Sequence, residues 1–247
     1  MTITLTVVKS QDTERDWIMH SKEYSSDVCD HSHSIYVVKG MNKMSNLKFF
    51  LITFIFKLKP ALNHEVGKDL SRRIMKRMKE YYKEIDERKT VEKGVMEFHR
   101  LFLMMGLSLY RAMQDELGKK DDLVETIHKM IWEGRMRKLT GIPVFFVRRS
   151  KDSYDLFLKL LGPKNERFFP CPPWDKVEIE LENGIGWNQY KCPYYDFFKD
   201  EGAVELTKAY CDLDKRIVEL VPDHIELKRQ HTLAKGDNWC DFYYYQK

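Results

Sequence analysis

The chain has 247 residues, of which 43% are hydrophobic and 13% aromatic, and its 42 basic and 38 acidic residues give a net charge of +4. This content supports one sizeable core and excludes a disordered chain, while a mild basic excess spread along the sequence gives no support to nucleic-acid binding. The five cysteines are odd in number and do not make a disulfide framework. Without a clear secretion signal, they favour a reducing, cytoplasmic compartment with free or metal-bound thiols.

The first stretch, residues 1–43, differs from the rest because most of it is polar and aperiodic. It contains four side chains of metal-ligand type, Cys29, Asp30, His31 and His33. The run is short and very polar, so a poorly structured N-terminal extension is favoured over a metal site.

The most apolar stretch is Leu47–Leu58. It is too short to span a bilayer, which needs roughly 20 apolar residues, and Lys57, Lys59 and Pro60 follow it where a signal peptide would have small residues. The run predicts a helix docked on the protein core and no transmembrane segment. The alternative is a helix at 47–58 that makes weak contact with a membrane surface.

Apolar residues recur at helical spacing from Pro60 onwards. They predict three long helices and a short one, at about 60–85, 91–117, 121–139 and 154–161. Gly118 ends the second helix, and Gly141 with Pro143 is expected to break the third. A stiff, proline-rich connector follows the short helix and leads to the first strand; its prolines are Pro163, Pro170, Pro172 and Pro173.

From Val177 the hydrophobic period changes to two, which is typical of strands, and Asn183-Gly184 predicts a hairpin turn. The expected elements are four strands and one helix, at about 177–181, 185–192, 203–220 (the helix), 223–233 and 239–245. Pro193 is expected to end the second strand. This pattern predicts an α+β fold, in which N-terminal helices pack on a C-terminal antiparallel β-β-α-β-β sheet unit. Residues 44–247 are expected to form a single domain, with a helical part at 44–162 and a sheet part at 174–247.

Two side chains that can carry positive charge interrupt one side of the predicted third strand. Leu227, Arg229 and His231 point the same way, because side chains alternate along a strand. Burying such groups without partners is costly, so Arg229 is a candidate clamp for a carboxylate. The alternatives are that this side is solvated, or that Arg229 pairs structurally with Asp214 or Asp241.

The predicted crossover helix carries Cys211, Asp214 and Val218 on one side. Asp214 would then lie at the border of the core, where burial can raise the pKa of a carboxyl group and let it donate a proton. The alternative is a surface Asp214 that pairs with Lys215 or Arg216.

Three cysteines, Cys192, Cys211 and Cys240, lie beside different predicted elements and could converge in space. They lack the C-x-x-C spacing typical of zinc sites, so no metal site is predicted. A neighbouring cation could lower the pKa of one thiol and make it a nucleophile, whereas the alternative is a small buried apolar side chain. Cys240 and its neighbour Asp241 are candidates for substrate binding.

His99 and Arg100 are the notable polar pair of the helical half, and both are candidates for substrate binding. Gly106 follows on the same predicted helix, at a cost of about 1 kcal/mol relative to alanine. It therefore indicates close helix packing or the approach of a ligand. The alternative for the charged residues is a solvated helix face.

The C-terminal sequence resembles a known family. The segment Y-K-C-P-Y-Y-D-F-F-K-D-E-G-A-V-E-L-T-K-A-Y-C-D-L-D and the later L-K-R-Q-H-T-L-A-K-G-D-N-W-C-D-F look like the C-terminal signature of the L-2-amino-thiazoline-4-carboxylic acid hydrolase family. The helical H-R-L-F-L-M-M-G-L-S-L-Y-R-A-M resembles its upstream helix. The resemblance covers roughly Ala61 to the end. The last part also looks like the ending of vinyl-reductase-type small-ligand-binding domains.

The family resemblance implies a hydrolase of non-peptide C–N bonds in cyclic amidines. The thiazoline ring would open at the carbon between sulfur and nitrogen, giving an N-carbamoyl amino acid. Cys211 or Cys192 would attack that carbon or position water. Asp214 would serve as acid or base, and His231 as a proton shuttle.

Arg229 or Arg100 would bind the carboxylate of this small-molecule substrate. No cofactor is predicted, and a thiolate-bound metal stays open as an alternative. The alternative function is a small-molecule- or metal-binding regulatory domain that uses its three thiols as ligands or redox sensors. The sequence leaves the oligomeric state open.

Overall fold

Helices fill most of the described chain, and a four-stranded sheet lies near its end. The computed structural model describes residues 45–88, 95–118, 122–162 and 164–247, so the extension predicted at 1–43 lies outside the described residues. Within these ranges the helices are α1 (Ser45–Ile55), α2 (Leu58–Val66), α3 (Lys68–Arg88), α4 (Val95–Leu117), α5 (Leu123–Ile131), α6 (Arg137–Arg149), α7 (Ser153–Leu160), α8 (Pro193–Asp200) and α9 (Thr207–Val218). The strands are β1 (Asp175–Leu181), β2 (Gly184–Lys191), β3 (Ile225–Lys228) and β4 (Cys240–Gln246). This arrangement confirms the α+β class.

The main core forms where the apolar stripes of the first five helices meet α8 and α9. Ile74, Met78 and Ile85 of α3 are fully buried against it, as their spacing predicts. The single helix expected from Pro60 is two helices instead. Gly67 has φ of +81°, a left-handed conformation that favours glycine, and it separates α2 from α3.

The predicted break at Gly141 and Pro143 is wrong. The chain passes from α5 through a π-helical turn at Trp132–Met136 directly into α6, and Pro143 lies inside that helix. Proline removes one backbone hydrogen bond there. The burial of Val144 and Val147 in a second core outweighs that loss, because packing against neighbouring elements routinely overrides local propensity.

The sheet is antiparallel throughout and has the strand order β1-β2-β4-β3. The β1–β2 hairpin pairs Leu181 with Gly184, in agreement with the predicted turn. One face of the sheet packs on α6 and α7 through Trp187, Ile225 and Tyr244, which form the second core.

The segment between β2 and β3 contains two α-helices, whereas the sequence predicted one. The missed helix is α8, which begins at Pro193. The sequence pattern gave Pro193 as the end of a strand, yet proline also suits the first helical position because the missing N–H has no partner there anyway. The third strand is shorter than predicted and ends at Lys228, so Arg229 and His231 lie beyond it.

Helix α9 packs very closely on α4 at Gly106. A Cβ atom at this position would lie 1.9 Å from the Tyr210 hydroxyl oxygen. That hydroxyl donates a hydrogen bond of 2.9 Å to the backbone oxygen of Phe102, so the ring is held in place. Of the two roles that the sequence allowed for Gly106, the structure shows close helix packing. The contact fixes α9, and with it Cys211 and Asp214, against the helical half.

No helix among the described residues is long and apolar enough to cross a bilayer. In α1, which covers most of the apolar run, Phe49 and Ile52 are buried in the main core, as is Phe56 just after the helix.

Candidate active site

A buried ion pair joins α9 to the segment after β3. The Arg229 Nη1 atom donates to Asp214 Oδ2 at 2.9 Å, and Nη2 donates to the backbone oxygen of Cys211. The side chain of Arg229 is only 2% exposed, whereas that of Asp214 is 34% exposed. The Asp214 side chain is therefore partly open to solvent, whereas the Arg229 side chain is enclosed by protein.

The surroundings of Arg229 bear on the three arrangements that the sequence allowed for it. Both terminal nitrogens already hold protein oxygens, and only Nε is buried without a partner. The guanidinium also lies over the ring of Phe242, at 5.1 Å from its centroid. Arg229 thus pairs structurally with Asp214, which was the alternative to an open clamp for a substrate carboxylate.

Three thiols gather around this ion pair. Cys192 caps the start of α8, Cys211 lies on α9, and Cys240 opens β4. They are near enough that charge on Cys240 acts on both other thiols, and charge on Asp214 acts on Cys211 and Cys240. We call these three cysteines with Asp214 and Arg229 the thiol cluster.

Burial keeps all three thiols protonated at neutral pH. It raises the pKa of Cys192 to about 12, although backbone N–H groups at the start of α8 oppose the shift. Burial also raises the pKa values of Cys211 and Cys240. Because the thiolate is the nucleophilic form, none of the three is activated in this structure.

The Asp214 carboxyl group shows the pKa shift expected from its position. Burial raises its pKa above the ordinary value of 3.8, and the Arg229 guanidinium opposes the shift. A carboxylate with a raised pKa accepts a proton more readily than an exposed one, which suits acid–base chemistry.

A tyrosine that the sequence did not single out links the cluster to the helical half. The Tyr194 hydroxyl lies 2.6 Å from Nδ1 of His99, and Nε2 of His99 lies 2.7 Å from the backbone oxygen of Phe168. A carbonyl oxygen can only accept, so Nε2 carries the proton and Nδ1 accepts from Tyr194. Burial lowers the pKa of His99, in keeping with this neutral form. Sequence reasoning missed Tyr194 because it did not predict α8, the helix whose first turn carries this residue.

His99 is therefore buried between elements and does not face an open site. Its ring packs against Phe168, Phe169 and Trp174 of the connector at centroid distances of 4.4, 5.9 and 4.9 Å. These contacts hold the connector and the start of α8 on α4.

Asp241 is the second residue of β4, and His231 lies in the loop between β3 and β4. The buried Asp241 carboxylate accepts hydrogen bonds from the backbone N–H groups of Gln230 and His231. The His231 side chain is 46% exposed, lies 3.6 Å from Asp237 and packs against Trp239 at 5.3 Å. Asp241 therefore shapes the loop, and the proposed shuttle His231 lies at its surface.

Arg100 lies at the α3–α4 interface. Its Nη1 donates to Asp86 at 2.9 Å and contacts the sulfur of Met104 at 3.2 Å, while Nε and Nη2 are buried without partners. The structure therefore places Arg100 in an ion pair between two helices, and does not group it with the thiol cluster.

The described residues contain no group of three or more His, Cys, Asp and Glu side chains arranged to hold a metal ion. Cys192, Cys211 and Cys240 are free thiols. Cys171 in the connector is disulfide-bonded, which differs from the sequence-based expectation of free or metal-bound thiols.

Together these features define an α+β protein with a buried carboxylate–guanidinium pair surrounded by thiols, where two helices meet the end of a sheet. The sequence model of the L-2-amino-thiazoline-4-carboxylic acid hydrolase family matches residues 50–244. The chain belongs to this family, which confirms the resemblance found in the C-terminal segments. The family name indicates a hydrolase that acts on the thiazoline carboxylate. A search of curated proteins found no match.

Proposed function

We propose that this chain hydrolyses a cyclic amidine that carries a carboxylate, such as L-2-amino-thiazoline-4-carboxylate, to an N-carbamoyl amino acid. Family membership supports the hydrolase class and this type of substrate. The observation that carries the mechanism is that Arg229 holds the Asp214 carboxyl group while the Asp214 side chain as a whole remains one third exposed.

The product determines which bond must break. Water adds to the ring carbon that bonds the sulfur and both nitrogens. The carbon–sulfur bond then breaks. One hydrogen of the water ends on the sulfur and the other on the former ring nitrogen, and the carbon keeps both nitrogens as a carbamoyl group. One water is consumed, and the ring opens at sulfur, whereas the sequence-based hypothesis assigned the cleavage to a C–N bond.

Asp214 is the proposed acid and base of this reaction. As a carboxylate it takes a proton from the attacking water, and as an acid it returns a proton to the departing sulfur. Its raised pKa makes it a better base than an ordinary aspartate. Arg229 is the positioning residue, because its two nitrogens fix the carboxyl group relative to α9.

Water is the proposed nucleophile rather than a cysteine. Burial raises the pKa values of Cys192 and Cys211, so almost no thiolate is present at neutral pH. Their proposed role is to line the site beside Asp214.

The direct test is to incubate the purified full chain with L-2-amino-thiazoline-4-carboxylate and to follow the carbamoyl product by mass spectrometry and the new thiol by colorimetry. Asp214→Asn should lower kcat by at least about 100-fold. The matched control is Asp212→Asn, because Asp212 lies on the same helix and pairs with Lys208 and Lys215 instead. This control should retain activity.

Two further measurements separate the steps. If Asp214 acts as the base, the acid limb of the kcat profile should rise at a pH above 3.8, as Asp214 ionises. A Cys211→Ala variant should remain active, and complete loss of turnover in a folded variant would return the nucleophilic role to the thiol. No turnover by the wild-type chain would refute the proposed substrate.

A further inference from the structure

Helix α6 has apolar side chains on both of its sides. Thr140, Val144 and Val147 are buried, and the last two belong to the second core. On the opposite side lie four apolar side chains that are 38% to 63% exposed, Leu139, Ile142, Phe145 and Phe146. We call these four the α6 ridge. Exposed apolar side chains that stand together on one helix mark an interaction surface.

The charge of this helix is strongly one-sided. Arg137 and Lys138 lie in its first turn, Arg148 and Arg149 in its last turn, and the helix contains no acidic residue. All four are exposed. The acidic neighbour Glu133 lies 3.9 Å from Arg137, so at least three of the positive charges are not balanced by it.

The cations of both ends border one cavity beside the ridge. The Arg149 guanidinium lies over the Phe145 ring, at 3.7 Å from the centroid. A cavity of about 510 Å³ opens between the two turns and is lined by all four cations and one carboxylate, Glu133, together with Phe145 and Leu220. It offers room for an anionic group next to an apolar surface.

We propose that α6 docks on a membrane surface that contains anionic phospholipid, with the α6 ridge in the headgroup boundary and the four cations on lipid phosphates. A helix that lies in this plane needs an apolar face and flanking Arg or Lys side chains, and α6 has both. The ridge is exposed and bears cations at both ends. It fits a layered surface, in which anions lie above hydrocarbon, better than a protein groove.

This surface differs from the membrane contact predicted at 47–58. In that run Lys48 is buried and pairs with Glu97 at 2.7 Å, so it cannot reach a lipid phosphate. Contact by 47–58 stays a prediction, whereas α6 combines exposed apolar and exposed basic side chains on one element.

The test is co-sedimentation of the full chain with vesicles of phosphatidylcholine alone or with about one third phosphatidylserine. Binding should require the anionic lipid and should weaken as salt is raised. Lys138→Gln/Arg149→Gln should lower the affinity about 25-fold, from about fivefold for each cation removed. Phe145→Ser/Phe146→Ser should lower it at least about tenfold. Lys76→Gln/Lys79→Gln on α3 and Leu160→Ser on α7 are the controls, and both should bind as wild type.

Circular dichroism shows whether each variant is folded. If Phe145→Ser/Phe146→Ser is unfolded, the binding of Lys138→Gln/Arg149→Gln decides whether the proposal holds. Three results would overturn the proposal: no binding of wild type to anionic vesicles, equal binding to phosphatidylcholine alone, or full binding by both α6 variants. Light scattering measures whether the wild-type chain is a dimer. If it is a dimer that Phe145→Ser/Phe146→Ser dissociates, and no vesicle binding is seen, the ridge is an interface between two copies of the chain and the proposed membrane contact is refuted.

Discussion

The buried ion pair between Arg229 and Asp214 makes a sharp prediction for stability. Arg229→Met keeps most of the side-chain volume but leaves the Asp214 carboxylate without its partner. Removing one member of a buried pair costs about 3–5 kcal/mol. Because the Asp214 side chain is 34% exposed, water can solvate it in part, so we expect about 3 kcal/mol, at the low end of that range.

The second half of the cycle isolates the interaction. Asp214→Leu alone leaves a guanidinium that is 2% exposed with only the Cys211 backbone oxygen, and should cost at least as much. The double variant Arg229→Met/Asp214→Leu removes both charges together. It should lie within about 1 kcal/mol of wild type, since a well-packed apolar pair often replaces a buried ion pair without loss.

Urea unfolding followed by circular dichroism measures each free energy of unfolding. The control is Arg216→Met on the same helix, whose partner Glu219 is exposed; such surface pairs contribute about 0–1 kcal/mol. Two results would refute the reasoning. One is that the losses of unfolding free energy in the two single variants simply add in the double variant. The other is that Arg229→Met loses no more stability than Arg216→Met.

Two further predictions concern the contacts that hold the site on the helical half. Gly106→Ala should destabilise the protein by about 2 kcal/mol despite the better helix propensity of alanine, because the new Cβ would lie 1.9 Å from the Tyr210 hydroxyl. Adding Tyr210→Phe to this variant should recover part of the lost stability. A raised Tm in Gly106→Ala would contradict the close packing. The lowered pKa of His99 means that the unfolded chain binds more protons, so its contribution to stability is present above pH 6.5 and is lost as the pH falls through the folded-state pKa. Thermal unfolding between pH 7.5 and 5 should therefore show a flatter pH dependence in His99→Gln than in wild type, while the exposed control His64→Gln keeps the wild-type slope.

Local patterns predicted the elements but not their continuity. Alternation in β1 and helical spacing in α3 were sufficient, because each element buries one face and repeats with its own period. Pro143 and Pro193 were both assigned as breaks from local chemistry alone. One lies inside α6 because packing of Val144 and Val147 holds the helix, and the other begins α8 because a first-turn proline loses no hydrogen bond.

The site shows the same limit at longer range. Motif position indicated Cys211 and Asp214, and the sequence gave Asp214 as one of two structural partners for Arg229. It could not show that Arg229 has both terminal nitrogens occupied, nor that Tyr194 bonds His99 across 95 residues of sequence. Such contacts depend on how α8, α9 and α4 meet, which no local period encodes.

The two helices between β2 and β3 explain why the helical half matters to the chemistry. This insertion supplies Cys192, Tyr194, Cys211 and Asp214, whereas the sheet side supplies only Arg229 and Cys240. Its position is set from α4, by the Gly106–Tyr210 contact at one helix and the His99–Tyr194 hydrogen bond at the other. A substitution on α4 that loosens either contact should therefore shift Asp214 relative to Arg229, although α4 itself holds no member of the thiol cluster. Under the proposed mechanism, such variants should lose kcat in proportion to the loss of Asp214–Arg229 coupling, even where overall folding is retained.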